Sequence, residues 1–246
     1  MTPLYLDNHL LAVDKPPGLL TQADRTGDPD LVSLAKAYLK ERFQKPGNVF
    51  VGLVHRLDRP TSGVVCLART SKAASRLSDQ FRRRVPDKRY IAVVRGVPSG
   101  LGGWVEREDG IDKGEGGSVA VVPVGTAGSQ RARLRYRTLA RDGRQSLVEV
   151  ELLTGRKHQI RAQLAHIGHP VVGDFRYGDE TPFADGRGIA LHAYRLRVEH
   201  PTLREPVLFA SPPPDAWAGL FDSAVADVLG PALSEAADTP EPFHLS

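Results

Sequence analysis

Between residues 131 and 153 the order of side chains fixes a backbone period. Arg131, Arg133, Arg135 and Arg137 occupy every second position. A period of two places such side chains on one face of a β-strand, whereas a helix would scatter them. Leu147 to Leu153 alternates in the same way. Two successive alternating segments predict strands of a sheet with distinct faces. Further strands are expected at Leu10 to Val13, Val64 to Ala68, Arg89 to Arg95, Val119 to Val124 and Ile189 to Val198. Helical spacing is sparser. Leu31, Leu34, Ala35, Tyr38 and Leu39 predict one helix, with Pro29 just inside it and Asp28 as its cap. Ser71 is expected to cap a second, with Ala74, Leu77 and Phe81 on one face. Thr154 is expected to cap a third, carrying Ile160, Leu164 and Ile167 and stopped by Gly168. Many strands with a few helices, and no regular strand–helix alternation, predict an α+β fold with a mixed, largely antiparallel sheet and flanking helices.

Residues 98–118 are rich in glycine and charge. They read as connections around Trp104-Val105, with a mobile tip at Gly114 to Gly117. After Pro212-Pro213-Pro214, an amphipathic helix carrying Trp217, Leu220, Phe221, Ala224, Val225 and Val228 is expected to end at Gly230-Pro231. The domain is expected to run over 1–230, with a disordered tail over 231–246.

With 41% hydrophobic residues, a chain of 246 residues can bury a large core. The net charge of +4 suits a polyanionic partner only modestly, but its placement is uneven. Arg82-Arg83-Arg84 with Lys88-Arg89, the alternating arginines, and Arg156, Lys157 and Arg161 make three basic groups. Beside the motifs described below they suggest a phosphate-binding surface. The lone Cys66 cannot form an internal disulfide and reads as a buried thiol. His55, His158, His166 and His169 are not completed by the cysteines or carboxylates that a metal site needs, so no metal is expected. No signal peptide or membrane-spanning run is visible, which predicts a soluble, cytoplasmic protein.

The chemistry concentrates at residues 55–63, His-Arg-Leu-Asp-Arg-Pro-Thr-Ser-Gly. Pro60 and Gly63 mark a turn, and apolar runs flank it on both sides. A carboxylate, Asp58, is thus set between Arg56 and Arg59, which favour its ionised form. Read locally, the segment serves equally as a charged turn or as a catalytic loop.

This string resembles the catalytic motif of the RluA family of RNA pseudouridine synthases. So do Tyr5 to Leu20, Lys88 to Gly96, Leu152 to Arg161 with Gly168 to Asp174 and Tyr177-Gly178, and Leu191-His192-Ala193, in the family's order. The resemblance implies the pseudouridine synthase fold, a central sheet crossed by a catalytic cleft. It implies isomerisation of a flipped-out uridine in structured RNA, ribosomal RNA ahead of transfer RNA, with no cofactor. By the same resemblance Asp58 is the nucleophile or base, Tyr90 the aromatic that stacks on uracil, and Arg156 the arginine that pairs with Asp58. Arg56 fills the gap left by the base or contacts phosphate, Lys157 contacts phosphate, and Leu191 packs near the base. Gln163 departs from the family, which has histidine there, though it is expected to touch none of these residues. The small RNA-binding domain that many relatives carry ahead of the motifs is expected to be missing, so RNA selection is expected to come from the catalytic domain. A monomer with no obligate protein partner is expected.

Three other functions compete with this reading. A non-catalytic RNA-binding protein or chaperone would need only the basic residues, not Asp58, Tyr90 and Arg156 together. A kinase loop fails on spacing, because Leu57 intervenes between Arg56 and Asp58. A glycosidase would need a second acid; Asp174 could in principle serve, but Gly173-Asp174 is explained by the third motif of the resemblance.

Overall fold

A computed structural model describes residues 1–239. In chain order its regular elements are strands β1 (Thr2–Leu6) and β2 (Leu10–Lys15), helix α1 (Leu31–Arg42), strands β3 (Gly52–Leu53) and β4 (Ser62–Ala68), and helix α2 (Ser71–Arg83). Five strands follow: β5 (Asp87–Arg95), β6 (Val105–Lys113), β7 (Val119–Val122), β8 (Gln130–Arg141) and β9 (Gln145–Leu152). The chain closes with α3 (Gln159–His166), β10 (Leu191–Glu199), β11 (Pro206–Ala210) and α4 (Asp222–Ala237). The fold is α+β, as the strand-rich pattern predicts. No helix among the described residues is long and apolar enough to cross a membrane.

The chain divides into two compact units. The first is assembled from Met1–Pro86, Tyr194–Pro212 and the chain from Leu229. In it β2 pairs antiparallel with both β1 and β4, β3 pairs with β4, and β10 with β11. Strands β2 and β4 are buried on both faces, which is why they read as continuous apolar runs rather than alternations. Leu10 and Ala12 stand opposite Ala68 and Cys66, and Leu77, Leu196, Val207 and Phe209 complete this core. Burial pushes the Cys66 thiol up to about 12, so it is an inert packing group.

The second unit is Asp87–Ala193 with Pro213–Val228. Its strands are ordered β5-β9-β8-β6-β7, every neighbour antiparallel. The alternation that opened the sequence reading is realised here. Ala132, Leu134, Tyr136 and Thr138 are buried on one face of β8. Its arginines line the other.

Several element ends differ from expectation. The cap of α1 is Asp30, which accepts from the Ser33 N–H at 3.1 Å, while the carboxylate of Asp28 is engaged by Arg59 at 2.8 Å. Thr70, not Ser71, caps α2. Thr154 lies ahead of α3, whose N-cap is His158 in a left-handed conformation, and its hydroxyl accepts from the Arg133 N–H instead. The stretch read as connections at 98–118 contains β6, because its charged residues face the arginines of β8. Helix α4 does not stop at Gly230-Pro231. Val225, Leu229 and Ala232 continue one buried stripe, and the helix runs through the exposed proline to Ala237. The expected disordered tail is therefore helical over its first seven residues, and residues 240–246 lie outside the described part.

Candidate active site

Asp58 is presented by the connection between β3 and β4. The Thr61 N–H donates to the Asp58 carbonyl at 3.1 Å, closing the turn that Pro60 marks. Asp58 itself is half-buried, Leu57 is buried and Arg56 is exposed. The loop is fastened from behind to the segment after β2. Gly18 N–H donates to the Arg59 carbonyl at 2.9 Å, Arg59 Nε returns a bond to the Gly18 carbonyl at 3.0 Å, and the Thr21 hydroxyl donates to the Leu57 carbonyl at 2.7 Å. Gly18 has φ of +83°, a conformation that suits glycine.

The residue that the sequence reading missed is Lys15. It is fully buried at the end of β2, and its Nζ donates to the carbonyls of Pro16, Leu19 and Arg59 at 3.0, 2.9 and 3.2 Å. Burial pushes its ammonium group down to about 7, while the negative charges of Asp58 and Asp14 pull it back up. Lys15 is thus a cation whose charge couples to Asp58. Of the two flanking cations expected to support Asp58, Arg59 has its guanidinium on Asp28 and on Gly18.

His55 opens the loop. Its Nε2 accepts from the Cys66 N–H at 2.9 Å and its ring stacks on Phe81 of α2, 4.6 Å between centroids. The imidazole thereby braces the backbone of β4 against α2.

The remaining sequence-predicted residues belong to the second unit. Tyr90 lies on β5 opposite Val150 and is 8% exposed. Leu191 begins β10 and is buried. Arg156 is half-buried ahead of α3, and its Nε donates to the Arg131 carbonyl at 3.0 Å. Its backbone N–H donates to Gln159 Oε1 at 3.0 Å. Gln159 Nε2 in turn donates to Gln163 Oε1 at 3.0 Å, and Gln163 Nε2 to Asp109 at 2.7 Å. Gln163 touches none of the predicted residues, but one intervening side chain links it to the backbone of Arg156.

Lys157 donates to the Gly117 carbonyl at 2.6 Å, and Arg176 to that of Gly116 at 2.8 Å. Tyr177 Oη accepts from the Val119 N–H and meets His158 Nδ1, each at 2.9 Å. The glycine-rich tip between β6 and β7, expected to be mobile, is thus tied down by Lys157, next to Arg156, and by Arg176 and Tyr177 from beyond α3. His169 Nδ1 lies 2.8 Å from the Arg95 carbonyl. Among the described residues no three His, Cys, Asp or Glu side chains gather as a metal site would require.

The arginine stripe of β8 departs from expectation. The strand register sets Arg133 opposite Glu108, Arg135 opposite Glu151 and Arg137 opposite Glu149. Each of these, with Arg131 on Glu108, is ion-paired, and Arg89 of β5 reaches Glu149 and Glu151. Three guanidinium groups, of Arg89, Arg135 and Arg137, also lie 4.9–5.5 Å from the Trp104 ring. The guanidinium groups of this face are thus already paired within the protein.

Residues 9–166 match the family described as RNA pseudouridylate synthase, and the chain belongs to that family. Asp58, Tyr90 and Arg156 fall inside the match. The chain is 37% identical over 239 residues to ribosomal large subunit pseudouridine synthase D of Xanthomonas campestris, covering 91% of this chain and 69% of that one. It is 35% identical over 240 residues to tRNA pseudouridine synthase C of Pectobacterium carotovorum, covering 88% and 60%. It spans 65% of the length of relatives from Synechocystis and Mycoplasma genitalium. The solved structure of human RNA pseudouridylate synthase domain containing 4 shares the fold, with a TM-score of 0.72 at 23% identity and 93% coverage of both chains.

Proposed function

We propose that this chain isomerises uridine to pseudouridine in structured RNA, with Asp58 as the reacting carboxylate. The supporting observation is a half-buried acid on a loop pinned through its own backbone, in a chain of the pseudouridylate synthase family. The reaction exchanges the bond between the sugar carbon and a ring nitrogen of uracil for one to a ring carbon. The proton on that carbon leaves and the nitrogen gains one, so the atoms balance without a co-reactant. Asp58 acts as nucleophile or as base. A stacked uridine must first be extruded, at a cost of a few kcal/mol. The exposed Arg56 is suited to fill the gap or to hold phosphate, Tyr90 to stack on uracil, Arg156 to pair with the carboxylate, and Leu191 to pack near the base. Lys157 donates one proton to the Gly117 carbonyl and, being exposed, has two others to offer a phosphate. Ribosomal RNA is the first substrate to test and transfer RNA the second, since relatives named for each are similar to this chain. The protein acts in the cytoplasm as a monomer, with RNA as its partner.

The test is to map pseudouridines in ribosomal and transfer RNA from cells lacking the protein, rescued with wild type or Asp58→Asn. A site lost on deletion and restored by wild type alone is the expected result. Restoration by Asp58→Asn would overturn the role given to Asp58. Binding of RNA with no site altered would favour a non-catalytic RNA-binding protein.

A further inference from the structure

We propose that Lys15 is a positioning residue for the reaction: its ammonium form clamps the Asp58 loop in place, and loss of one proton releases the clamp. The inference rests on the reading of Asp58 as the reacting carboxylate. An ammonium group carries three protons and no lone pair. Lys15 Nζ has three carbonyl oxygens within hydrogen-bond distance, those of Pro16, Leu19 and Arg59. Donors and acceptors therefore match one to one. A neutral amine has two protons, so one carbonyl would face its lone pair. Lys15 has no exposed surface through which water could replace the missing donor.

The geometry gives this clamp its reach. Arg59 directly follows Asp58, and its carbonyl accepts from both Lys15 Nζ and the Gly18 N–H, filling both lone pairs. The third acceptor, Leu19, lies in the segment that holds the loop from behind. Losing one of these donors loosens the backbone beside the reacting side chain. The charges around Nζ are Asp14 on its own strand and Asp58 and Arg59 on the loop, and β4 sets uncharged Gly63 opposite Lys15. Burial opposes the charge that these two acids favour, which brings the ammonium to about 7, within the range where an enzyme works.

The experiment follows pseudouridine formation on the RNA identified by the mapping, from about pH 6 to pH 9, for wild type, Lys15→Arg and Lys15→Met. Wild-type kcat should fall on the alkaline side of about 7. Lys15→Arg, which does not titrate in this range, should lose that fall whatever its absolute rate. Lys15→Met should lower kcat by about tenfold or more with KM for RNA little changed, because a displaced reacting group affects the chemical step. A wild-type alkaline fall persisting unchanged in Lys15→Arg, or wild-type kcat in Lys15→Met, would overturn the proposal. Amide exchange provides a second readout that needs no substrate. Gly18 and Thr61 should exchange about tenfold faster in Lys15→Met at equal pH, with Leu11 and Val13 unchanged. Unchanged Gly18 exchange overturns the clamp by itself. An inactive wild type with the exchange change present would instead sink the reading of Asp58 and leave the clamp standing. If Lys15→Met does not fold, Lys15→Arg carries the pH arm.

Discussion

A buried carbonyl needs a donor, and two consecutive prolines bring none. Pro16 and Pro17 leave the segment after β2 short of N–H groups, and Lys15 supplies what is missing. That shortage is visible in the sequence, yet a lysine beside prolines reads as a surface residue, so its place had to come from the structure. Asp58 is the opposite case: its turn residues and apolar flanks made the loop legible before any coordinates. Replacing Asp58 with Asn should lower kcat by about a thousandfold or more while leaving RNA affinity within about twofold; parallel turnover and filter-binding assays check this. Arg161 shows another limit of the sequence. With Arg156 and Lys157 it suggests a phosphate-binding group, but it is buried, with Nε and Nη2 bonded to Asp174 at 2.6 and 2.8 Å and its guanidinium 5.1 Å from the Tyr177 ring. Arg161→Leu should therefore cost about 3–5 kcal/mol in urea unfolding, because it strands the Asp174 carboxylate. The double replacement Arg161→Leu with Asp174→Leu should cost less than the single one. This also accounts for Asp174 as half of a structural pair.

At the scale of elements, periodicity placed the central strands well, and helix ends poorly. Caps depend on which of several nearby polar residues is already engaged, and at Asp28 the competitor, Arg59, comes from a distant part of the chain. Strand β6 was missed because its acids make sense only against the arginines of β8. The same pairing has a functional consequence. Arg135 and Arg137 already face Glu151 and Glu149, so under the proposed function they would release few counterions on RNA binding. Arg135→Gln and Arg137→Gln should each leave RNA affinity within about twofold and the slope of log affinity against log salt nearly unchanged. A slope reduced by about one per substitution would show that the ladder opens to phosphate. Stability should change by about 1 kcal/mol, since both arginines are half-exposed and Arg89 still reaches Glu149 and Glu151 in either variant.

At the scale of the whole molecule, the first unit is tied together by side chains far apart in sequence. Asp7, in the turn between β1 and β2, accepts from His200 Nε2 at 2.7 Å and from the backbone of Leu10 and His9. Burial works against the charged carboxylate, but the bond from His200 and those from Leu10 and His9 outweigh it and hold Asp7 below the usual range. A carboxyl whose folded value lies below its unfolded one stabilises the protein above the unfolded value of about 4, and that contribution disappears as pH falls through the folded value. Asp7→Asn should accordingly lower the melting temperature at pH 7, and the deficit should shrink as pH drops below about 4. A deficit constant with pH would mean that packing, not charge, is what Asp7 contributes.

That first unit is also interrupted: its chain leaves at Pro86 and returns at Tyr194. On a translating ribosome β2 and β4 emerge long before Leu196, Val207 and Phe209, which complete their core. At about 5–20 residues per second the wait is on the order of ten seconds. For that interval a newly made chain carries Val64, Cys66 and Leu77 without the strands that will cover them, so the N-terminal third of this protein depends during synthesis on whatever shields apolar segments at the tunnel exit.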